Sequence, residues 1–393
     1  MIMVQSPRRK DASGRVLKAG ESQRQDGRYM YRYTDARGKR HTVYAKTLSE
    51  LREREDEIAK HQEAGLDYQA GLITVEELLK KYIELKKEVL RYHTLESYEV
   101  SLLAIQRDPF GAMPINKVKS SDVREFFIRQ HQSGRKYSSI VTIKRPLSSA
   151  FKLAVDEDVL RKNPADIAID FIPDDSERRI ALTAVQQKEL MAFVRLDKHY
   201  KIYYDEMIVL LDTGLRIGEF CGLTMDDLDF ENRRIYVNHQ LVYIKTGGLM
   251  IEKTKTKSGE RIIPMTNRVY QSLQNMIAKR RMPKVEPVVD GYTNFLMINR
   301  SNLPQTGIGF AQIMRNLIAH YRLETGNDIP NVTPHVLRHT FCTNLVNAGI
   351  DVKTVQYLMG HANVKITLDI YAHSEYSRAE DAMKIFSDII QQQ

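Results

Sequence analysis

The spacing of apolar residues changes twice along the chain, and these two changes divide it into three segments of different secondary structure. Short β-type alternation comes first, helical spacing alone follows, and a mixture of both occupies the second half. With 393 residues, the chain has room for two or three domains that each bury a core. We therefore predict an α+β, mostly helical protein with several domains.

The first segment is predicted to be a small basic ββα unit. Arg28–Tyr33 alternates and is rich in β-forming residues, and Arg40–Tyr44 follows a turn as a second strand. Thr47 and Glu50 stand at capping-box spacing and predict a charged helix to about Glu63. The first 40 residues carry 11 Lys or Arg and 4 Asp or Glu, so they hold +7 of the net charge of +9. A surplus concentrated in this way favours an anionic partner, with nucleic acid first.

The second segment shows helical spacing only. Thr74 and Glu77 open it with another capping-box pattern after a linker, and the last helix ends at Asn163-Pro164. Three further helices are predicted between these points, at Thr94–Ile105, Ser121–Gln130 and Ser139–Val155. This segment is predicted to be an all-helical domain.

The third segment mixes helices with short strands. Helical runs are predicted at Thr183–Val194 and at Tyr204–Leu223, with a glycine-marked break inside the second run. The strands are predicted at Arg234–Val237, Leu241–Lys245, Leu249–Lys253 and Arg261–Pro264. The chain closes with a predicted amphipathic helix at Glu380–Ile390, which carries Met383, Phe386 and Ile390 on one face.

These patterns give domain boundaries and exclude several protein classes. The predicted domains are residues 1–70, 71–173 and 174–393. Apolar runs such as Met207–Leu211 are far shorter than the roughly 18 residues of a membrane helix, and the N-terminus lacks the order of a secretory signal. Cys221 and Cys342 are far apart, which indicates a reducing compartment and excludes a cysteine-built zinc site. We expect a cytoplasmic, nucleoid-associated protein.

One block, Thr333–Phe341, combines a helix start with basic residues. Thr333 is a good N-cap and Pro334 suits the first helical position, so His335 and Arg338 share one face and are expected to point outward together. A helix N-terminus favours phosphate through its free N–H groups, and arginine adds a two-pronged donor. A buried histidine with a surface arginine is the ordinary alternative for this block alone.

Two other blocks are also basic. Asp212–Glu219 places Arg216 at the start of a helical run, and a solvated Arg216 paired with Glu219 is its ordinary alternative. Glu252–Arg261 is a basic hairpin or loop, which is usually a solvated face. Neither block identifies a function alone.

The last block, Gly360–His373, places His361 just after a helix-ending glycine and Tyr371 ten residues later. The chain has 20 tyrosines, so Tyr371 alone is not informative.

Together, the four blocks resemble the catalytic domain of tyrosine recombinases, the integrase family of phages and conjugative elements. The resemblance runs from about Arg179 to the C-terminus. It rests on TGLRIGE around Arg216, KTKSGERIIP around Lys255, HVLRHTF at His335 and Arg338, and GH before Tyr371. Upstream, residues 72–172 are similar to the family's core-binding domain in position and helix content, and the ββα unit resembles its arm-binding domain.

The resemblance implies that Tyr371 attacks a DNA phosphodiester, forming a 3′-phosphotyrosine and releasing a 5′-hydroxyl. A phenol with a pKa near 10 is a weak nucleophile at neutral pH, so it needs a base and cations nearby. By the same resemblance, Arg216 and Arg338 hold the non-bridging oxygens and stabilise the charge of the transition state. Glu219 is expected to orient Arg216.

The remaining implied roles concern protons and the phosphate. Lys255 protonates the leaving 5′-oxygen, His335 is acid and base toward the tyrosine, and His361 hydrogen-bonds the phosphate. Lys253 and Lys257 compete with Lys255 for its role, while His339 and His373 are interpreted as structural. One phosphate ester is exchanged for another, so neither a metal nor another cofactor is expected.

The implied partners are double-stranded DNA and other copies of the chain. Arg28, Arg32, Lys39 and Arg40 are candidate DNA contacts of the arm-type sheet, and a merely solvated basic sheet is the alternative. The family resemblance implies a homo-tetramer on DNA, with an excisionase-type directionality factor and a DNA-bending protein. The C-terminal helix docks either on its own domain or on a neighbouring protomer, and the sequence leaves both open.

Three other functions share some of these sequence features. A non-catalytic DNA-binding regulator of the same fold is one, although every catalytic-type residue is present. A type IB topoisomerase shares the chemistry, but the arm-type unit argues against it. A relaxase requires a clustered histidine metal site, which the sequence lacks.

Overall fold

The computed structural model describes residues 9–35, 38–176, 180–245, 248–254 and 257–372, together with Met383. Its packing separates the chain into two compact units, Met1–Glu177 and Arg178–Gln393, which are described in turn. None of the helices within the described ranges is long and apolar enough to cross a membrane.

The amino-terminal unit begins with a three-stranded antiparallel sheet and one helix. The strands are β1 (Glu21–Gln23), β2 (Tyr29–Thr34) and β3 (Arg40–Ala45), in the order β1-β2-β3, and α1 (Leu48–Glu63) follows them. Thr47 caps α1, because its hydroxyl oxygen accepts a hydrogen bond from the main-chain N–H of Glu50 at 3.2 Å. Tyr29 shares one small core with Leu51, and Tyr33 shares another with Ile58. The predicted strands and helix are present, and β1 is an additional strand.

Helices complete this unit. They are α2 (Val75–Lys86), α3 (Tyr92–Gln106), α4 (Ser120–Gln132) and α5 (Tyr137–Asp156). The predicted capping box of α2 is formed, since the N–H of Thr74 donates to Glu77 at 2.8 Å and the N–H of Glu77 donates back at 3.2 Å. Phe110 and Phe126 stack in the core with ring centroids 4.9 Å apart. The described residues from α2 to α5 contain no strand, as the helical spacing predicts.

The carboxy-terminal unit mixes helices with short strands, as predicted. Its first helices are α6 (Ala184–Leu196), α7 (Tyr204–Thr213) and α8 (Ile217–Gly222). Its strands are β4 (Leu228–Asp229), β5 (Arg234–Val237), β6 (His239–Ile244), β7 (Gly248–Lys253) and β8 (Arg261–Pro264), with one sheet in the order β4-β5-β8 and a β6-β7 pair. Its last helices are α9 (Asn267–Ala278), α10 (Gly307–Thr325), α11 (Pro334–Asn347), α12 (Val352–Met359) and α13 (Val364–Ala372).

Helix α7 lies at the centre of this unit and leads toward the candidate site. Its residues Met207–Leu210 are fully buried, so the apolar run noted in the sequence is a core helix. The helix ends at Gly214, whose φ is 62°, and a Cβ at this position would overlap the ring of Phe341. Glycine is therefore required here, and the predicted run Tyr204–Leu223 is divided into α7 and α8.

The predicted C-terminal helix Glu380–Ile390 lies outside the described residues, apart from Met383.

Candidate active site

The end of α12 gathers three arginines from distant parts of the carboxy-terminal unit. Three successive main-chain carbonyls there each accept a hydrogen bond from a different guanidinium. The pairs are Arg261 Nε with Leu358 at 2.8 Å, Arg338 Nη2 with Met359, and Arg216 Nη2 with Gly360 at 2.7 Å. The last carbonyls of a helix lack partners within the helix and carry the negative end of its dipole, so they suit cations. The helix end thus organises the cluster.

Arg216 lies at the start of α8, where the sequence analysis placed it. Its main-chain N–H donates to Glu219 Oε2 at 2.9 Å, and its Nη1 donates to Glu219 Oε1 at 2.6 Å. The Arg216 side chain is 39% exposed, whereas that of Glu219 is 3% exposed. The pairing expected between the two residues is therefore present, and part of the guanidinium remains accessible.

Arg338 differs from the expectation that it points outward beside His335. His335 is exposed, but Arg338 is buried and its Nη1 donates to the carbonyl of Gly214 at the end of α7. The predicted helix start itself is correct, since Thr333 caps α11 and Pro334 follows it. The side chain turns inward because two helix ends, those of α7 and α12, offer it carbonyl acceptors.

The environment of Arg338 is unfavourable for a cation. Burial lowers the pKa of Arg338 most, and the positive charges of Arg216 and Arg261 lower it further, to about 9. We interpret this direction as the free-energy cost of burying the Arg338 guanidinium and, in smaller part, of holding it beside two others, because arginine keeps its proton in proteins. An anion bound beside them would reduce this cost.

Arg261 is a member of the cluster that sequence reasoning missed. Its side chain is fully buried, and it donates to Glu219 Oε1 and Oε2 at 3.1 and 2.8 Å. Burial opposes ionisation of Glu219, but the bonds and charges of Arg261 and Arg216 outweigh it and lower the pKa of Glu219. The sequence held one signal for this residue, because strand alternation places Arg261 on the same face of β8 as the buried Ile263.

His361 follows α12 and lies beside the arginines. Its Nδ1 is 3.0 Å from Oγ1 of Thr367, which belongs to α13. Burial lowers the pKa of His361 most, and the charges of Arg338 and Arg216 add to this, so that it falls to about 4. The ring is therefore neutral near pH 7, and it can donate one hydrogen bond but cannot supply a positive charge.

The other expected site residues are placed only in part. Lys255 lies outside the described residues, between β7 and β8, and so does the side chain of Lys257. The backbone at position 371 lies in the last turn of α13, one turn beyond Thr367, and the side chain of Tyr371 is not described. Of the histidines interpreted as structural, His339 is half-buried in α11 and His373 lies outside the described residues. Lys253, the remaining alternative to Lys255, is the exposed last residue of β7.

The described part of the site has a surplus of positive charge. Arg216, Arg261 and Arg338 have a single carboxylate, Glu219, among the hydrogen-bond partners found for their side chains in that part. Three guanidiniums against one carboxylate leave charge that a phosphate can neutralise, and guanidinium geometry matches phosphate oxygens. The described residues contain no group of three or more His, Cys, Asp or Glu placed to hold a metal ion. The arrangement is thus suited to binding a phosphodiester through arginine.

The sheet of the amino-terminal unit has one open face. Tyr29 and Tyr33 of β2 are buried against α1, whereas Arg32, between them, is exposed on the other face. In the strand register Thr34 pairs with the exposed Arg40, which brings Arg40 to the same face as Arg32.

The other two arm-type candidates lie just before the strands β2 and β3. Arg28 is exposed but forms an ion pair with Asp26 at 2.7 Å, and Lys39 is exposed in the turn before β3. The structure therefore unites Arg32 and Arg40 on the open face, whereas Arg28 is engaged by Asp26 and Lys39 lies in a turn.

An arginine cluster of this kind, in a mixed domain that follows a helical region and a basic sheet, defines a tyrosine-type site-specific DNA recombinase. The chain belongs to the phage integrase family, whose model matches residues 181–378. Residues 5–62 match a second model, the DNA binding domain of Tn916 integrase.

Relatives extend over nearly the whole chain. The transposase from transposon Tn1545 of Streptococcus agalactiae is 40% identical over 394 residues, which cover 96% of this chain and 96% of that protein. The transposase from transposon Tn916 of Enterococcus faecalis has the same identity and coverage. A tyrosine recombinase XerC-like protein of Caldanaerobacter subterraneus is 26% identical, with 93% of this chain and 97% of that protein covered.

Solved structures agree in fold. The Tn1549 transposon integrase in complex with a circular intermediate DNA is 39% identical, with a TM-score of 0.76 over 80% of this chain and 99% of that chain. A lambda integrase tetramer bound to a Holliday junction has a TM-score of 0.55 at 19% identity, with 88% of this chain and 96% of that chain covered, and it supports the fold alone. This chain is therefore a DNA-binding recombinase with the predicted multidomain fold.

Proposed function

We propose that this recombinase cuts and rejoins duplex DNA through a 3′-phosphotyrosine formed by Tyr371. The tyrosine oxygen forms a bond to phosphorus while the bond from phosphorus to the 5′-oxygen breaks, and the 5′-oxygen leaves as a hydroxyl. Rejoining reverses these steps with the 5′-hydroxyl of another strand. One phosphate ester replaces another, so the energy of the bond is retained for rejoining.

The arginine cluster at the end of α12 is the observation that carries this proposal. A phosphodiester has one negative charge and gains a second in the five-coordinate transition state. Arg216, which is partly exposed, and Arg338 would hold the two non-bridging oxygens, and prearranged donors of this kind stabilise a transition state by several kcal/mol. Part of the cost of holding three guanidinium groups together is then recovered as the charge develops.

His361 would add a neutral hydrogen bond to the same phosphate. We assign the tautomer in which the hydroxyl of Thr367 donates to Nδ1, which leaves the proton on Nε2. In this tautomer Nε2–H is a donor whether or not the ring is protonated, and the pKa of His361, about 4, means that the ring donates as a neutral group near pH 7.

Two further residues would move protons. His335, which is exposed at the start of α11, would take the proton from Tyr371. Lys255 would give a proton to the departing 5′-oxygen, with Lys253 and Lys257 as the competing candidates. The balance is one proton taken from the tyrosine and one delivered to the leaving group.

The DNA substrate is the joined end of a mobile element of the conjugative-transposon type, which the enzyme would integrate and excise. The transposases of Tn1545 and Tn916, each 40% identical, and the circular intermediate DNA bound by the Tn1549 transposon integrase support this choice. Residues 1–70 would bind arm sites, residues 71–173 would bind the core site with the catalytic domain, and residues 174–393 would carry the chemistry.

The assembly would be a homo-tetramer on DNA, with the C-terminal helix at 380–390 docking in cis or in trans. A lambda integrase, which is similar in fold, forms a tetramer bound to a Holliday junction, and this supports the proposal. An excisionase-type factor and a DNA-bending protein would set the direction of the reaction, and the protein would act at the nucleoid in the cytoplasm.

Denaturing capture of the protein from its native cells, followed by sequencing of the attached DNA, tests this function. Tyr371→Phe is run in parallel, with Tyr270→Phe on α9 as the matched control. We expect DNA of one junction to be attached to the wild type and to the control and absent from Tyr371→Phe. Attached DNA without sequence preference would indicate a topoisomerase, and binding without any attachment would indicate a regulator.

A further inference from the structure

Arg261 joins three parts of the candidate site with one side chain. It begins β8, yet its guanidinium reaches Glu219 in α8, the carbonyl of Leu358 at the end of α12, and the carbonyl of Gly259 at 3.2 Å. The segment before β8 carries the lysine candidates, and α12 leads directly to His361. No other described side chain of the cluster contacts all three elements.

The charge of Arg261 is costly where it lies. Taking a guanidinium and a carboxylate out of water costs several kcal/mol per ion, and apolar residues of similar volume often stabilise a fold equally well. The Arg261 side chain is fully buried and that of Glu219 nearly so. The ion pair therefore supplies directed hydrogen bonds that fix the position of the Glu219 carboxylate, which an apolar pair would not do.

That geometry limits how Arg216 uses Glu219. A lone carboxylate facing Arg216 would accept both prongs of its guanidinium. Here Arg261 occupies both carboxylate oxygens, so Arg216 gives Nη1 to Glu219 and Nη2 to the carbonyl of Gly360. The shared carboxylate leaves the rest of the partly exposed guanidinium directed away from the pair.

We infer that Arg261 is a positioning residue for the recombination reaction, which acts by holding Glu219, and through it Arg216, in register with the end of α12. The inference rests on the proposed phosphate-binding role of Arg216. Arg261 is buried and would not touch the DNA itself.

The role has a signature in the pH dependence of cleavage. The charged groups that face Glu219 are Arg216 at the start of α8, Arg261 from β8 and Arg338 from α11. Burial raises the pKa of Glu219 and Arg261 provides the largest opposing effect, so removal of Arg261 raises that pKa. Protonated Glu219 would release Arg216, so a variant that lacks Arg261 would lose activity as the pH falls.

The test is single-turnover formation of the covalent complex from pH 6 to pH 8.5. The substrate is a nicked duplex with the junction sequence recovered by the capture experiment. We expect the ratio of the rate constant of Arg261→Gln to that of the wild type to fall at least tenfold when the pH is lowered from 8.5 to 6. In the double variant with Arg261→Gln and Glu219→Gln, no carboxylate titrates, and the ratio of its rate constant to that of the wild type should not change with pH.

Two readouts separate positioning from loss of structure. Unfolding lowers the amplitude of the single turnover, whereas mispositioning lowers its rate constant at full amplitude. Arg261→Lys keeps a charge beside Glu219 but cannot form the two-pronged contact together with the bond to Leu358. We expect a rate constant at least tenfold lower than that of the wild type, full amplitude and unchanged DNA affinity. This variant decides the question if Arg261→Gln does not fold.

The outcomes distinguish this inference from the proposed function. If the wild type forms no covalent complex, the proposed function is wrong. If the wild type reacts, but Arg261→Gln shows a ratio to the wild type that is constant with pH, or Arg261→Lys reacts at the wild-type rate, only the positioning role is wrong.

Discussion

Nδ1 of His361 lies 3.0 Å from Oγ1 of Thr367, and both side chains are buried in the carboxy-terminal unit. This contact joins the residue that follows α12 to α13, the helix whose last turn contains position 371. On its other side, His361 adjoins Gly360, whose carbonyl accepts from Arg216. The protonation state of one ring is therefore connected to the arginine cluster and to the helix of the proposed nucleophile.

The first prediction concerns the stability of this contact at low pH. The pKa of His361 in the folded protein, about 4, lies below its ordinary value of 6.5 because of burial and the nearby arginines, so the folded state resists protonation. The neutral His361 ring therefore contributes fully to the free energy of unfolding above pH 6.5, and this contribution is lost as the pH falls toward 4. We expect the wild type to lose about 1–2 kcal/mol more of its free energy of unfolding than His361→Gln when the pH falls from 7 to 4.5, as measured by urea unfolding.

The control for this measurement is His199→Gln, because His199 is exposed at the end of the loop after α6. Its difference from the wild type should stay nearly constant over the same range. A constant difference for His361→Gln as well would show that the ring is not held neutral in the fold.

The second prediction concerns anions. The cluster of Arg216, Arg261 and Arg338 has one carboxylate partner in the described part of the chain, so a bound anion should stabilise the fold. We expect sulfate, a stand-in for phosphate, to raise the melting temperature more than chloride of equal ionic strength. At a sulfate concentration of 100 times its Kd, the free energy of unfolding would rise by about 2.7 kcal/mol. Arg216→Ala should reduce the extra rise in melting temperature that sulfate gives over chloride. The control, Arg315→Ala on α10, should not change it. Equal effects of the two salts on the wild type would contradict the prediction.

The third prediction concerns two carboxyl groups between β1 and α1. Glu21 and Glu55 are both buried, Arg52 donates to Glu21, and Lys18 lies 3.7 Å from Glu55. Burial raises the pKa of Glu55 most, and the negative charge of Glu21 raises it further, to about 7. Because the pKa of Glu55 is higher in the folded protein than in the unfolded chain, protonated Glu55 contributes fully to the free energy of unfolding below pH 4.5. This contribution is lost as the pH rises through 7.

Glu55→Gln stays uncharged at every pH and should therefore protect β1 and α1 under alkaline conditions. Hydrogen exchange is expected to show about 1 kcal/mol more protection at pH 8.5 than in the wild type, and little change at pH 5. Glu53→Gln, at an exposed position of the same helix, is the control. Protection that does not differ between the two pH values would contradict the raised pKa.

Local signals account for most of the fold that the sequence predicted. The N-cap at Thr47 and the capping box at Thr74 begin helices at the expected residues, because their hydrogen bonds form within one turn. The strand β1 lacks such a signal, since Glu21–Gln23 is too short for a periodic pattern and is defined only by pairing with β2.

The site was harder to predict because its contacts join distant parts of the chain. Spacing on α11 placed His335 and Arg338 together, but Arg338 turns inward to Gly214, 124 positions away, and to Met359, 21 positions away. The spacing of residues within α11 does not indicate which of its faces packs against the ends of α7 and α12. Arg261 belonged to a block interpreted as a solvated face, although its alternation with Ile263 indicated burial.

The final prediction separates the four basic candidates of the amino-terminal sheet. Arg32 and Arg40 lie on its open face, whereas Arg28 is already paired with Asp26 at 2.7 Å. Each phosphate contact contributes about 0.9 to the slope of log K against log salt on duplex DNA. We expect Arg32→Ala and Arg40→Ala each to lower that slope by about 1.

Arg28→Ala and Lys39→Ala should change the slope less, because one side chain has an ion-pair partner and the other lies in the turn before β3. Arg54→Ala is the control, since Arg54 lies in α1, behind the sheet, and is paired with Glu50. The probe is the recovered junction with its flanking DNA, bound by the full chain over a series of salt concentrations. Equal losses for Arg28, Arg32 and Arg40 would contradict the prediction, because a side chain already engaged by Asp26 would then contribute as much as Arg32 and Arg40.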